Sequence, residues 1–201
     1  QGVVLDKLFR SLIVTPCEYN DLLICDKNAI MIAARILGYG KDYPIKVNNP
    51  TTNEEIEYVV DLTKLKEREI DWSLLNKGVN EFDFKFPASE REVKLKILTH
   101  RDQRQIDKET KGLAKLKKQA TTTTMLKHVI VELDGERDGG KIRNFVDNHL
   151  LAVDARALRL FLRKITPDID LLIQVPDGES GDTFPVQISI GLDFFWPDAN
   201  I

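Results

Sequence analysis

Apolar positions change period several times along this chain. Val3, Val4, Leu5, Leu8, Phe9, Leu12 and Ile13 draw one stripe at helical spacing, which predicts a helix over 3–13, ended by Thr15-Pro16. A second helix is expected from an N-cap at Asp26 through Ala29, Ile30, Ile32, Ala33, Ile36 and Leu37, stopped by Gly38-Tyr39-Gly40. The period then shortens. Tyr43–Val47 and Ile56–Asp61 read as strands around the turn-rich run 48–53. After a connector holding Trp72, Phe82, Phe84 and Phe86 alternate with Asp83 and Lys85, and Val93, Leu95 and Ile97 alternate with Lys94 and Lys96. Period two on both arms predicts an antiparallel pair with one wet face.

Thr99 is placed to cap a mostly polar helix from His100 to about Gln119, with Ile106, Leu113 and Leu116 as a thin apolar seam. Met125–Leu133 is apolar; its β-branched content favours a strand, and a helix remains open. Helices follow over 141–149 and 154–165, the second with Ala155, Leu158, Leu160, Phe161, Leu162 and Ile165 facing inward and Pro167 stopping it. Asp170–Val175 and Phe184–Ile190 close the pattern as a second strand–knuckle–strand. The order of helices, β, helices, β gives an α+β fold with two small antiparallel β modules, and not the strict alternation of a doubly wound sheet. Two packed halves are expected, 1–99 and 100–201.

Composition narrows the function classes only slightly. With 29 Lys and Arg against 32 Asp and Glu, the net charge of −3 gives no global reason for nucleic acid or an anionic membrane as partner. No apolar run approaches the roughly 20 residues of a membrane span. The start, Gln1-Gly-Val-Val-Leu5, has no basic segment before an apolar one and no initiator Met, so it reads as no signal peptide and predicts residues upstream of Gln1. Cys17 and Cys25 fit neither a metal knuckle nor a disulfide framework and are read as half-buried thiols in a reducing compartment.

Candidate chemistry is sparse. His100, His128 and His149 lie in three different segments, and Gly178-Glu-Ser-Gly181 is one residue short of a nucleophile elbow. Asp168, Asp170, Asp177, Glu179 and Asp182 cluster without the spacing of a calcium loop, and are read as turn carboxylates. They are also the basis of one alternative function, a hydrolase using the acidic loop 168–182. Gly139-Gly140-Lys141 could meet an anion at a helix start, though a flexible capping turn suffices. The helix over 101–118 sets Arg101, Arg104, Lys108, Lys111, Lys115, Lys117 and Lys118 against Asp102, Asp107 and Glu109. That suggests a solvated face, an acidic protein partner or, as a second alternative function, nucleic acid, although no aromatic is interleaved for base stacking. The terminal run Phe194-Phe195-Trp196-Pro197 is the most informative stretch. It is either a plug in the protein's own core or an anchor for a partner, since aromatics dominate the energetics of both. Phe194, Phe195, Trp196 and Pro197, with Trp72, are the docking candidates.

Three pieces carry a resemblance spanning most of the chain: Gly38-Tyr-Gly-Lys-Asp-Tyr43; Thr123–Gly135 with Ile142–Asn148 and Asp154–Arg159; and Phe194-Phe-Trp-Pro197. In this order and spacing the chain resembles the baseplate hub and hub-assembly family of contractile-tailed, T-even-like bacteriophages. The resemblance implies zinc-ribbon-like knuckles, but the matching positions here, Val47-Asn-Asn-Pro50 and Val175-Pro-Asp-Gly178, hold no cysteine, so no zinc or other cofactor is implied. If the missing cysteines once served one shared site, the two β modules are neighbours. The implied function is non-enzymatic: a hub component or assembly factor that docks other baseplate and hub proteins. It would sit in the virion tail baseplate after assembly in the host cytoplasm, with no small-molecule substrate.

Overall fold

The computed structural model describes residues 7–8, 10–15, 17–115, 121–177 and 181–195. The fold is α+β, with short antiparallel sheets between helices. Contacts divide the chain into two compact units, each assembled from separated segments: 1–17, 25–68 and 168–201 in the first, 18–24 and 69–167 in the second. The boundary expected at 99/100 falls inside the second unit, where strands on either side of it pair.

The first unit opens with helical residues 7–8 and 10–12; the rest of the expected helix over 3–13 lies partly outside the described residues. Helix α1 spans Ile24–Tyr39, so Asp26 falls in its first turn instead of capping it. Cys25, Met31, Ile32 and Arg35 are its buried face, while Leu37 is exposed. The helix stops because Gly40 takes φ +86°, the left-handed conformation glycine adopts cheaply, and its N–H donates back to the carbonyl of Ile36 at 2.9 Å. Strands β1 (Asp42–Asn48) and β2 (Glu55–Asp61) pair antiparallel, with Tyr43 opposite Val60 and Val47 opposite Ile56. β6 (Leu172–Pro176) and β7 (Thr183–Gln187) form the second hairpin, in which Val175 is fully buried. A short backbone ladder joins the segments of this unit: Arg68 N–H to Asp168 O, and Asp170 N–H to Lys66 O, both 2.8 Å.

The second unit holds a three-stranded antiparallel sheet, β3 (Phe82–Lys85), β4 (Glu92–Leu95) and β5 (Ile130–Leu133), in the order β3-β4-β5. The apolar run expected as one element is two: helix α3 covers Thr121–Val129 and passes directly into β5. Helices α2 (His100–Lys115), α4 (Gly139–Asn148) and α5 (Ala152–Ile165) complete the unit. Its core gathers Phe86, Leu95, Leu126, Val129, Phe145 and Leu158, with Phe86, Leu95 and Leu158 fully buried. Period two put Phe86, Val93 and Leu95 on one face, and that face is the buried one. Thr99 caps α2: its hydroxyl accepts from Asp102 N–H at 3.4 Å, and Asp102 accepts from Thr99 N–H at 3.0 Å. This reciprocal arrangement satisfies donors at the helix start.

Candidate docking site

The aromatic terminus is a plug as far as it is described. Helix α6 (Leu192–Phe195) turns Phe194 and Phe195 into the first unit, where they are 1% and 5% exposed. Phe194 meets Tyr43 edge-on at 4.9 Å between ring centroids and Phe195 at 5.3 Å. The guanidinium of buried Arg35 lies 5.6 Å from the Tyr43 ring and 4.3 Å from that of Tyr39. Rings enclosed in this way supply core energy. Burial therefore removes Phe194 and Phe195 from the surface anchors. Trp196 and Pro197 lie outside the described residues.

The two knuckles of the first unit meet. Asn49, 4% exposed, folds its own turn by accepting from Thr51 N–H at 2.7 Å and Thr52 N–H at 3.2 Å. Its side-chain amide donates to the Asp177 carboxylate of the other knuckle. Where a metal-binding knuckle has thiolates, this pair is closed by an asparagine and an aspartate. Asp168 is held by Arg68 at 3.5 Å and Asn28 at 3.3 Å, and Asp170 accepts from Leu172 N–H at 3.1 Å. Asp168, Asp170 and Asp177 thus each serve a local structural bond, and Glu179 lies outside the described residues. Among the described residues, no group of three or more His, Cys, Asp and Glu could hold a metal ion.

Several of the remaining sequence candidates are engaged or buried. Asp138 caps α4 by accepting from Lys141 N–H at 2.9 Å, which occupies the helix start where an anion was considered. Those backbone bonds, from Lys141 first and then Gly140, hold the Asp138 carboxyl below its ordinary range. Cys17 is exposed, and burial, reinforced by Asp26, pushes the Cys25 thiol up to about 11. Cys25 is therefore a protonated thiol at neutral pH and a poor nucleophile. A groove of about 340 Å³ beside His149 is lined by charges that pair with one another, Arg91 with Asp134 at 2.9 Å and Lys141 with Glu136.

Trp72 keeps its candidacy. It opens a short 3-10 turn in the second unit, capped by Asp71, and is 68% exposed. Asp71 N–H donates to the carbonyl of Lys164 at 2.8 Å, which sets Trp72 at the C-terminal end of α5. Helix α5 departs from expectation in its outer face. Leu160, expected inward, is 53% exposed, and Val153 is 62% exposed. At 100° per residue these two share a face with Arg156, Arg159 and Arg163, all exposed. The inner face is closed by Leu158 and Ile165, both fully buried, and by Asp154. Asp154 reaches across to accept from the N–H groups of Ala88 and Ser89 at 2.8 and 3.0 Å, anchoring α5 to the β3–β4 turn. Sequence reasoning missed this outer face because Leu160 was counted with the core stripe; its place between arginines was the available signal.

Among the described residues, no helix is long and apolar enough to cross a membrane. The chain matches no protein-family model, no curated protein and no solved structure at a significant level.

Proposed function

We propose that this protein is a non-enzymatic component of a phage tail baseplate, either a hub subunit or a hub-assembly factor, and that it works by docking other baseplate and hub proteins. The family resemblance carried by residues 38–43, 123–135, 142–148, 154–159 and 194–197 supplies the biological setting. The observation that carries the docking mechanism is the outer face of α5. Val153 and Leu160 stand exposed among Arg156, Arg159 and Arg163, with Trp72 at the end of the helix. Trp and Arg are the residue types most enriched at binding hot spots, and apolar side chains between them gain area only when a partner covers them. The outer face itself carries three arginines and no acid, since Asp154 belongs to the buried side, so its partner should present carboxylates around an apolar centre. The virion is the proposed site of residence, and host cytoplasm the place of assembly.

Mass spectrometry of purified virions separates the two roles. A stoichiometric signal marks a hub subunit, and absence from complete tails marks a factor. Capture of baseplate proteins by the wild-type chain and by Trp72→Ala and Leu160→Ala tests the face itself. Each truncation should weaken capture, by about 2 kcal/mol at a true hot spot, with melting temperature unchanged. Capture of no baseplate protein by the wild type, together with absence from virions and from infected-cell assembly intermediates, would sink the reading.

A further inference from the structure

Helix α2 carries a row of exposed cations that outnumber the carboxylates beside them among the described residues. At 100° per residue, Arg101, Arg104, Lys108 and Lys111 fall within an arc of about 80°. Arg101, Arg104, Lys108 and Lys111 are exposed, while Asp102 and Ile106 on the opposite side are buried. Successive members stand three or four residues apart, the spacing at which helical side chains are neighbours, so every contact along the row sets like charge against like and weakens the helix.

Two of the three acids of the same helix are paired with other cations, and the third, Asp107, is one carboxylate beside several cations. Asp102 pairs with Lys96 at 2.8 Å, and Glu109 takes Arg143 at 2.8 and 3.0 Å and His128 at 3.2 Å. Asp107, nearest the row, accepts from Gln103 at 2.6 Å. Arg101 pairs with Asp21 at 2.8 Å, both groups being exposed, and among the described residues Arg104, Lys108 and Lys111 make no ion pair within 4 Å. A row that costs the helix stability and is left open to solvent is arranged for an external anion.

We propose that this row docks an acidic helix of a partner protein, one presenting a carboxylate every three or four residues. Spacing favours this occupant: matched helical rows face each other charge for charge over about 15 Å, the length from 101 to 111. Charge disfavours nucleic acid. The chain is −3 overall, so its net charge gives a long polyanion no general attraction beyond the row itself. A short acidic helix ends where the row ends. No Phe, Tyr or Trp occurs in 100–115 to stack on bases. The inference concerns a different face from α5 and does not depend on the baseplate assignment.

Fluorescence anisotropy with the full chain at low and moderate salt tests it with three probes. The first is a labelled alanine-based peptide of 16 residues with five Glu in one helical stripe. The second has the same composition with Glu spread around the helix, and the third is single- and double-stranded DNA of similar length. The striped peptide should bind at least 5-fold tighter than the dispersed one and tighter than either DNA. The variant Arg104→Gln/Lys108→Gln/Lys111→Gln should lose at least 10-fold, with melting temperature equal or higher because repulsion is relieved. Lys66→Gln/Lys77→Gln/Lys85→Gln, three exposed lysines elsewhere, should bind as the wild type does. Equal binding of the two peptides, tighter binding of DNA, or equal loss in both variants overturns the proposal.

Discussion

Asp154 shows how much one side chain can decide. It is fully buried, yet it stays charged because two backbone N–H groups point at it. Burial pushes its carboxyl up, the bonds from Ala88 and Ser89 pull it down, and the balance lies below the usual carboxylate value. Replacing it by Ala leaves both donors without a partner, and denaturant titration should show a loss of about 1.5–3 kcal/mol. Its sign with pH follows from the lowered value. The stabilisation is complete above the unfolded carboxyl's range near 3.9 and is lost as pH falls through the folded value, so wild type and Asp154→Ala should converge in stability under acid. A constant gap between them down to pH 2 would contradict this account. Phe194 makes the companion case. As core, its truncation to Ala should lower stability by about 3–5 kcal/mol, whereas Trp72→Ala should leave the melting temperature nearly unchanged. The reverse order would return the terminus to the surface.

Elements were legible wherever one period dominated. The alternation of Phe82, Phe84 and Phe86 against Val93 and Leu95 announced the β3–β4 pair, and the stripe through Leu158 and Ile165 announced α5. The third strand was legible only in part: β-branched content favoured a strand over 125–133, and 130–133 is one, but 125–129 is helical. Residues 125–133 are apolar at both periods, and the break between Val129 and Ile130 is set by pairing at a distance: Ile130 lies opposite Leu95 and Leu133 opposite Val93. A chain read locally has no access to that choice. Capping was legible at α2 and carries its own test. Asp102 joins the Thr99 cap to Lys96, and burial raises its carboxyl less than Lys96 and Thr99 lower it. Thr99→Ala removes the hydroxyl half of the cap and should cost about 1 kcal/mol. Asp102→Ala removes a partner of a half-buried ammonium as well and should cost more. Equal losses from the two substitutions would mean that Lys96 finds water at no penalty.

At the scale of the molecule, the chain does not divide where its texture repeats. The sequence reads as two similar halves, helices then β, and that reading places a boundary at 99/100. Contacts instead gather both knuckle hairpins with α1 in one unit and the Phe82–Leu95 sheet with α2 to α5 in the other. The reason is long-range pairing: β6 and β7 complete a core begun by α1 and β1, through Tyr43 on Phe194 and Asn49 on Asp177. The docking surfaces were only partly legible for a related reason. Trp72 stood out as a lone aromatic in a polar connector, but exposure of Leu160 and burial of Phe194 are decided by which segments cover them. Discontinuity yields a prediction that a two-half chain would not. Truncation after Pro167 removes no residue of the second unit but strips the first of Val175, Ile188 and Phe194, all buried, and of the ladder to Asp168 and Asp170. Hydrogen exchange on the truncated chain should therefore lose protection throughout α1, β1 and β2, while the backbone amides of Phe86, Lys96 and Leu133, bonded within the second unit, keep theirs to within about 10-fold. Two halves divided at 99/100 would respond in the opposite way, with 100–167 losing protection and residues 42–61 keeping it, because the missing strands would then belong to the C-terminal half.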